Sequence, residues 1–209
     1  GLQSPVIKVE NGGVHDHHFL RDNVKTAQKI LLKYYEFVLF AESDEFVMVD
    51  PAKHPSLIAY ARATAEDTMC ATGWQPIQLR TENAMNWDAT PWLMQRSQWI
   101  PDPLHSKPLL TRVPLNYSFG FHRVLGANYT PDDDLILVHF HRIDYELTRS
   151  RHKAFSKMKW NTLEKAAGMS SYQLIHDGDE FDQWYYSTPD TGADVMELSP
   201  ITETIRKGL

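Results

Sequence analysis

The sequence predicts an α/β fold, and four segments near its start support this. A short alternating run at residues 6–10 (VIKVE) is typical of a strand. Residues 19–33 carry apolar side chains at a helical spacing, and residues 56–65 also have a helical pattern. Between them, residues 37–40 (FVLF) form a wholly apolar run, as expected of a strand buried on both faces. Strands that alternate with helices in this way indicate an α/β fold.

The rest of the chain predicts more short strands and one longer helix. The strands are expected at residues 72–79, 109–113, 118–122 and 135–141. Asp132–Asp134 is interpreted as a turn before the last strand, and residues 149–167 as a helix. No linker divides the chain. We therefore expect one domain over residues 1–209, with a core at about 6–167 and a C-terminal extension at 168–209.

The composition argues against several classes of protein. The chain has 209 residues, 42% of them hydrophobic, and a formal net charge of −6, a balance that argues against a general nucleic-acid-binding protein. Its single cysteine, Cys70, excludes an internal disulfide. No apolar run reaches the roughly 18 residues of a membrane span. We expect a cytoplasmic protein with no membrane span in this chain; a targeting or membrane segment removed before Gly1 is the alternative.

An acidic cluster, Glu42-x-Asp44-Glu45, follows the apolar run FVLF. Ligands of α/β sheets bind beyond the carboxyl ends of the strands, where this cluster is expected. Carboxylate oxygens suit Mg²⁺ or Mn²⁺, and such a cation neutralises a diphosphate. The alternative is a set of solvated carboxylates. The apolar FVMV that follows weighs against this alternative, because the cluster interrupts apolar sequence rather than a polar loop.

Two histidines lie near the end of the last predicted strand. His139 and His141 alternate along that strand and therefore face the same way. One neutral imidazole could complete a metal site with Asp44. Arg142 could pair with a phosphate or with Asp144. The alternative is a pair of histidines with ordinary hydrogen bonds.

A third segment, residues 107–122, places basic and hydrogen-bonding side chains near predicted strand ends. Lys107, Arg112 and His122 could contact a diphosphate, or they could be ordinary surface residues. The residues alone leave both interpretations open.

Three segments, in this order, resemble glycosyltransferase family 2-like proteins. They are YEFVLFAESDEFVMVDP (35–51), SKPLLTRVPLNYSFGFH (106–122) and LVHFHRIDYE (137–146). The resemblance implies a GT-A-like mixed central sheet flanked by helices. It also implies a UDP- or GDP-sugar donor, a divalent metal (Mn²⁺ or Mg²⁺) and a carbohydrate or glycoconjugate acceptor. Lys107 and His122 match positions that contact the donor phosphates.

The resemblance also implies individual metal ligands. Asp44 takes the place of the direct ligand in the D-x-D motif, and Glu42 lies nearer the ribose or a metal-bound water. His139 matches a late histidine that completes the site, with His141 as the substitute. Two departures stand out. The motif begins with Glu rather than Asp, and only 41 residues precede it, so the first strands of a GT-A fold are expected to be missing.

An inverting transferase needs a carboxylate to take the acceptor proton. Glu82, Asp88 and Asp144 are the candidates for this catalytic base. The leading prediction is a metal-dependent glycosyltransferase. A non-catalytic carbohydrate- or nucleotide-binding relative is the main alternative. A metal-dependent phosphohydrolase is a third, disfavoured because a second carboxylate cluster is missing from the sequence.

Overall fold

The computed structural model describes residues 10–89 and 95–190, which form a mixed α/β structure with a curled mixed sheet flanked by helices. The strand predicted at 6–10 lies outside these residues except for Glu10, which is not in a strand. The strands are β1 (Val14–His15), β2 (Val38–Leu39), β3 (Glu45–Val49), β4 (Thr68–Ile77), β5 (Gln98–Pro101), β6 (Pro108–Thr111), β7 (Pro131–His139) and β8 (Lys159–Trp160). The helices are α1 (His17–Leu31), α2 (Leu57–Ala63), α3 (Tyr145–Ser156), α4 (Thr162–Ala166) and α5 (Gly178–Asp190), with short 3₁₀ turns at Phe119–Phe121 and Ser171–Leu174.

The long strand β4 organises the main sheet. It pairs with β6 and β5 in antiparallel fashion on one side and with β7 in parallel on the other. The strand order is β2-β6-β4-β7-β3, with β5 added beside β4. β3 runs antiparallel to β7 at the edge of the sheet. β1 and β8 form a separate two-stranded parallel sheet.

Both faces of the main sheet are covered by apolar side chains. Leu109 and Leu137 belong to a cluster that packs against Tyr60 and Ala61 of α2. On the opposite face of β7, Ile136 and Val138 pack with Trp99 of β5. Alternate residues of β7 thus contribute to two cores, as period-two geometry requires of a strand buried on both faces.

Helix ends follow local capping chemistry. The Asp16 carboxylate accepts a hydrogen bond from the Phe19 backbone N–H at the start of α1, and Ser56 accepts one from Ala59 at the start of α2. The two helices predicted over residues 19–33 and 56–65 are therefore confirmed, with bounds shifted by a few residues.

Several predicted elements differ in the structure. The segment 37–40 is not a strand buried on both faces, because β2 is a two-residue edge strand and Leu39 is exposed. Residues 118–122 form a 3₁₀ turn rather than a strand. Asp132–Asp134 is no turn but part of β7, with its side chains hydrogen-bonded to neighbouring elements. The helix predicted at 149–167 is divided by β8 into α3 and α4.

The C-terminal segment after residue 168 contributes to the core where it is described. Phe181 and Tyr185 of α5 are almost fully buried. Their rings pack against Tyr145 at the start of α3. Within residues 10–89 and 95–190, none of the helices has both the length and the apolar character needed to cross a bilayer.

Candidate metal centre

The pairing of β3 with β7 brings an acidic segment to a pair of histidines. Glu45 lies opposite His139 in the register, and the Phe140 N–H donates a hydrogen bond of 2.8 Å to the backbone carbonyl of Asp44. One ligand atom from each of Asp44, His139 and His141 lies within 4.8 Å of the others. Three residues that the sequence analysis selected separately are therefore brought together at one end of the sheet.

Asp44 is held between two cationic groups. Its Oδ2 lies 3.5 Å from Nε2 of His139 and also pairs with the Arg151 guanidinium of α3. Burial opposes ionisation of this carboxyl, but its hydrogen bond to His139 and the charge of Arg151 outweigh burial and hold its pKa far below the ordinary value. Asp44 is consequently a carboxylate at neutral pH, the form that binds a cation.

A second carboxylate lies on the other edge of the His139 ring. Oδ2 of Asp102 lies 3.2 Å from Nδ1 of His139 and 2.9 Å from Nδ1 of His105. The rings of His105 and His139 stack with centroids 3.6 Å apart. Burial alone would lower the pKa of His139, yet its hydrogen bonds to Asp102 and Asp44 raise that pKa above the ordinary value. Asp102, His105 and His139 also form a group with metal-ligand spacing.

His141 is oriented by a chain of contacts to α3. Its Nε2 lies 3.3 Å from Nε2 of His152, whose Nδ1 lies 2.6 Å from the carbonyl oxygen of Ile175. Since a carbonyl only accepts, Nδ1 of His152 is the donor. Burial, reinforced by the charge of His139, lowers the pKa of His141 well below its ordinary value, so this imidazole is neutral. A neutral imidazole retains a lone pair for a metal.

Lys107 forms ion pairs with two residues of the acidic segment 42–45. Its side chain is 0% exposed, and its Nζ lies 2.9 Å from Oε2 of Glu42 and 2.6 Å from Oε1 of Glu45. Oε2 of Glu45 in turn accepts from the Glu42 backbone N–H at 2.8 Å. Glu42 thus faces Lys107 and lies outside the group formed by Asp44 and the two histidines. The ion triplet, in which Lys107 and Glu45 are buried and Glu42 is partly exposed, fixes the turn that presents Asp44.

His122 connects this centre to a cavity. Its ring contacts His105 edge-on, with centroids 4.8 Å apart. Burial, followed by the positive charge of His105 and Lys107, lowers the pKa of His122 to about 4. The cavity measures about 430 Å³, a size suited to a small ligand, and its lining includes Ser106, Arg123 and Tyr129. A larger cavity of about 720 Å³ beside α1 is lined mainly by apolar groups.

Two of the predicted donor-binding arginines have partners in other parts of the fold. The Arg112 guanidinium donates to the carbonyl oxygens of Glu66 and Ala61, at the end of α2. The guanidinium of Arg142 lies 4.7 Å above the Trp184 ring and donates to Ser187 Oγ, so it packs against α5. Neither side chain is placed in the group of Asp44 and its histidines.

Two of the three candidate bases have structural partners, and the third is exposed. Asp144 caps α3 by accepting from Leu147 N–H, and it also accepts from Met85 N–H. Glu82 accepts from the backbone N–H of Leu79 and from Ser97. Asp88 is exposed in a loop. The structure assigns a capping or turn-stabilising contact to the first two and brings none of the three together with His139 in the described contacts.

Four residues of the site were not predicted to act there: Glu45, Asp102, His105 and Arg151. Asp102 and His105 belong to an Asp-Pro-Leu-His segment that Ser106 separates from Lys107, and that spacing of an acid and a histidine was the available signal. Arg151 lies in a basic stretch on α3 whose contact with Asp44 depends on the tertiary fold. Glu45 was noted as part of the acidic cluster, but its burial against Lys107 depends on β6.

The donor set suits a divalent transition metal. One carboxylate and two imidazoles fit Mn²⁺, whereas Mg²⁺ prefers an all-oxygen environment. The geometry thus offers a place for a cation at the end of β3 and β7. Comparisons with protein families, curated proteins and solved structures gave no match for this chain.

Proposed function

We propose that the protein is a divalent-metal-dependent glycosyltransferase that moves a sugar from a UDP- or GDP-sugar to a carbohydrate or glycoconjugate acceptor. The observation that carries the proposal is the convergence of Asp44, His139 and His141 at the end of one pair of strands. The family resemblance implied a site made from these same positions. A GT-A-like fold is part of the same proposal, supported by the mixed sheet flanked by helices.

The chemistry of such a site follows from its charges. A bound divalent cation would neutralise the diphosphate and stabilise the departing nucleoside diphosphate. Asp44 and the imidazoles of His139 and His141 would hold that cation. Arg151, already beside Asp44, supplies a guanidinium that can bind a phosphate oxygen once it is released from the carboxylate. His122 is neutral at physiological pH and can donate or accept one hydrogen bond.

The metal is proposed to be Mn²⁺ rather than Mg²⁺. Two imidazole nitrogens in a set of three protein ligands favour the softer ion. Thermal stabilisation by Mn²⁺ at concentrations where Mg²⁺ has no effect is the expected result. Equal stabilisation by both ions at equal concentration would contradict the assignment of both histidines as ligands.

The experiment that tests the function combines binding and turnover. Melting temperatures are measured with Mn²⁺ and a panel of nucleoside diphosphates, and release of UDP or GDP is then followed from the matching nucleotide sugars. We expect a Mn²⁺-dependent stabilisation by one nucleotide and slow donor hydrolysis. Asp44→Asn should lose both, and Asp134→Asn, at the opposite end of β7, should keep both. No stabilisation by any metal–nucleotide combination would overturn the proposal.

A second candidate function, binding without turnover, is favoured by one observation. Both carboxylates of the Glu42-x-Asp44 motif already have cationic partners, Lys107 and Arg151. A carboxylate paired in this way has less charge to offer a metal. The chain would then be a nucleotide- or carbohydrate-binding relative of the transferases.

Arg151→Gln separates the two candidates. In the transferase, loss of the competing cation should tighten Mn²⁺ binding, by up to about 5-fold if the ion pair contributes about 1 kcal/mol, while nucleotide binding weakens. In the non-catalytic relative, nucleotide binding should be unchanged and no donor should be hydrolysed by either form. Calorimetric titration with Mn²⁺ and then with the nucleotide measures both quantities.

A further inference from the structure

Asp102 lies on a turn that is docked onto the central strand. Its backbone N–H donates a 2.9 Å hydrogen bond to the Gly73 carbonyl of β4. The Gly73 N–H donates in turn to Ser106 Oγ at 2.9 Å. The turn formed by residues 102–106 is therefore attached to β4 at both of its ends.

Gly73 allows this close approach. A Cβ at position 73 would lie 2.6 Å from the carbonyl carbon of His105 and 2.8 Å from the Ser106 nitrogen, and it would collide with the Asp102 carbonyl oxygen. Only a residue without a side chain fits against these backbone atoms. The position of Asp102 relative to β7, the neighbour of β4, is thus set by its own backbone hydrogen bond to Gly73 and by the close packing of the turn on that glycine.

Asp102 contacts Nδ1 of His139, whereas Nε2 of the same ring faces Asp44. A carboxylate only accepts, and Nδ1 of His139, 3.2 Å away, must be the donor. The other nitrogen, Nε2, lies 3.5 Å from Oδ2 of Asp44, on the side where a cation would sit.

We propose that Asp102 is a positioning residue for the metal centre: its Oδ2 fixes Nδ1 of His139 as the protonated nitrogen and presents Nε2 to the divalent cation. This inference rests on the metal centre of the proposed function but not on sugar transfer. Metal-binding histidines commonly donate their second nitrogen to a carboxylate, which fixes ring orientation and raises ligand basicity. His105, stacked on the His139 ring at 3.6 Å, limits rotation of that ring.

The alternative role for Asp102 is ligation of a second cation with His105 and His139, since their ligand atoms also cluster. The contacts favour positioning. A single oxygen, Oδ2, lies within 3.2 Å of the Nδ1 atoms of both His139 and His105, and its hydrogen bond is to His139. The two roles differ in stoichiometry, because positioning requires one metal ion per chain and ligation requires two.

Titration of the full chain with Mn²⁺ alone, followed by the electron paramagnetic resonance signal of the free ion, tests the proposal. We expect one Mn²⁺ per chain in the wild type. Asp102→Leu, which removes the acceptor, should weaken binding by about 10- to 100-fold. Asp102→Asn, which keeps one acceptor oxygen, should have a Mn²⁺ affinity between those of the wild type and Asp102→Leu. Asp132→Asn, a carboxylate at the opposite end of β7 that accepts from Tyr60, is the matched control and should bind as the wild type does.

A spectroscopic measurement supplies a readout that a merely structural role would not change. With Zn²⁺ as the diamagnetic probe and ¹⁵N-labelled histidine, His139 should show hydrogen on Nδ1 and metal on Nε2. In the metal-free protein, at a pH high enough for the His139 ring to be neutral, the wild type should carry hydrogen on Nδ1, and Asp102→Leu should populate the other tautomer even where the melting temperature of the protein is unchanged. The wild-type tautomer in metal-free Asp102→Leu would overturn the proposal.

The outcomes remain distinguishable. Unchanged Mn²⁺ affinity in both Asp102 variants would overturn the positioning role while leaving the metal centre in place. Two ions per chain, with one lost in Asp102→Leu, would overturn it in favour of ligation. A wild type that binds no Mn²⁺ would overturn both the metal centre and this inference.

Discussion

The two ends of the β3–β7 ladder carry the same residue types in different environments. At one end, His139 lies between Asp44 and Asp102, and these three side chains are 9–19% exposed. At the other end, Asp134 accepts from His54 at 3.1 Å and pairs with Lys53, whose side chain is 56% exposed. An acid beside a histidine is thus found twice on one pair of strands.

The difference between the ends lies in burial and in the number of imidazoles. We call the end with His139 the inner end and the end with Asp134 the outer end. At the outer end, water can solvate Asp134, and its ion pair with Lys53 is weak. At the inner end, helix α3 and the turn at residues 102–106 exclude water. Three further imidazoles, those of His105, His141 and His152, contact His139 or one another there. Burial of paired charges together with several nitrogen donors distinguishes a candidate metal centre from an ordinary surface cluster.

The largest expected contrast between the two ends is in stability. Lys107→Met leaves the carboxylate of Glu45, whose side chain is 1% exposed, buried without its partner. Removal of one partner from a buried pair typically costs about 3–5 kcal/mol. Urea unfolding should show a loss of this size for Lys107→Met and little change for Lys53→Met. Similar behaviour of the two variants would show that the inner end is as well solvated as the outer end.

A smaller effect is expected from pH. The pKa of His122 falls from 6.5 in the unfolded reference to about 4 in the folded protein. Between these values the unfolded chain binds a proton that the folded chain excludes, so the free energy of unfolding decreases as pH falls from 6.5 to 4, by up to about 3 kcal/mol. The raised pKa of His139 acts in the opposite sense: its contribution is complete below pH 6.5 and is lost as pH rises through the folded pKa.

His122→Asn measures the His122 contribution. Urea unfolding at pH 4.5 and pH 7 should show a smaller difference between the two pH values in this variant than in the wild type. His54→Asn, at the outer end, serves as the control and should retain the wild-type difference. A wild-type pH dependence in His122→Asn would contradict the assignment.

The smallest effect is expected at the outer end itself. The Tyr60 hydroxyl donates a 2.7 Å hydrogen bond to Oδ2 of Asp132. Tyr60→Phe removes this bond but leaves Asp132 accessible to water, so we expect a cost of about 1 kcal/mol in urea unfolding. Mn²⁺ binding should be unchanged. Weaker Mn²⁺ binding in Tyr60→Phe would show that the two ends of β7 are coupled.

Features that depend on local chemistry and spacing could be predicted from the sequence. The helices α1 and α2 follow from apolar periodicity and from caps such as Asp16. Asp44, His139 and His141 do lie close together, and their role as metal ligands stays a prediction. The order of strands in the sheet, in contrast, depends on long-range pairing that no local pattern encodes.

The missed features all depend on tertiary contacts. The apolar run 37–40 resembles a buried strand, yet it lies at the sheet edge because β6 pairs with β4 on its other side. Asp132–Asp134 has turn-forming composition, but Tyr60 and Thr72 supply partners that stabilise it as a strand. Asp102 approaches His139 only because Gly73 admits the turn that carries it.

The most direct test of the account is equilibrium binding of Mn²⁺ to the wild type and to two matched variants, Asp44→Asn and Asp134→Asn. Each replaces an acid beside a histidine at one end of the same strand pair. The account predicts one Mn²⁺ per wild-type chain, retained by Asp134→Asn and lost by Asp44→Asn. Equal binding by the two variants, or binding lost only in Asp134→Asn, would contradict it.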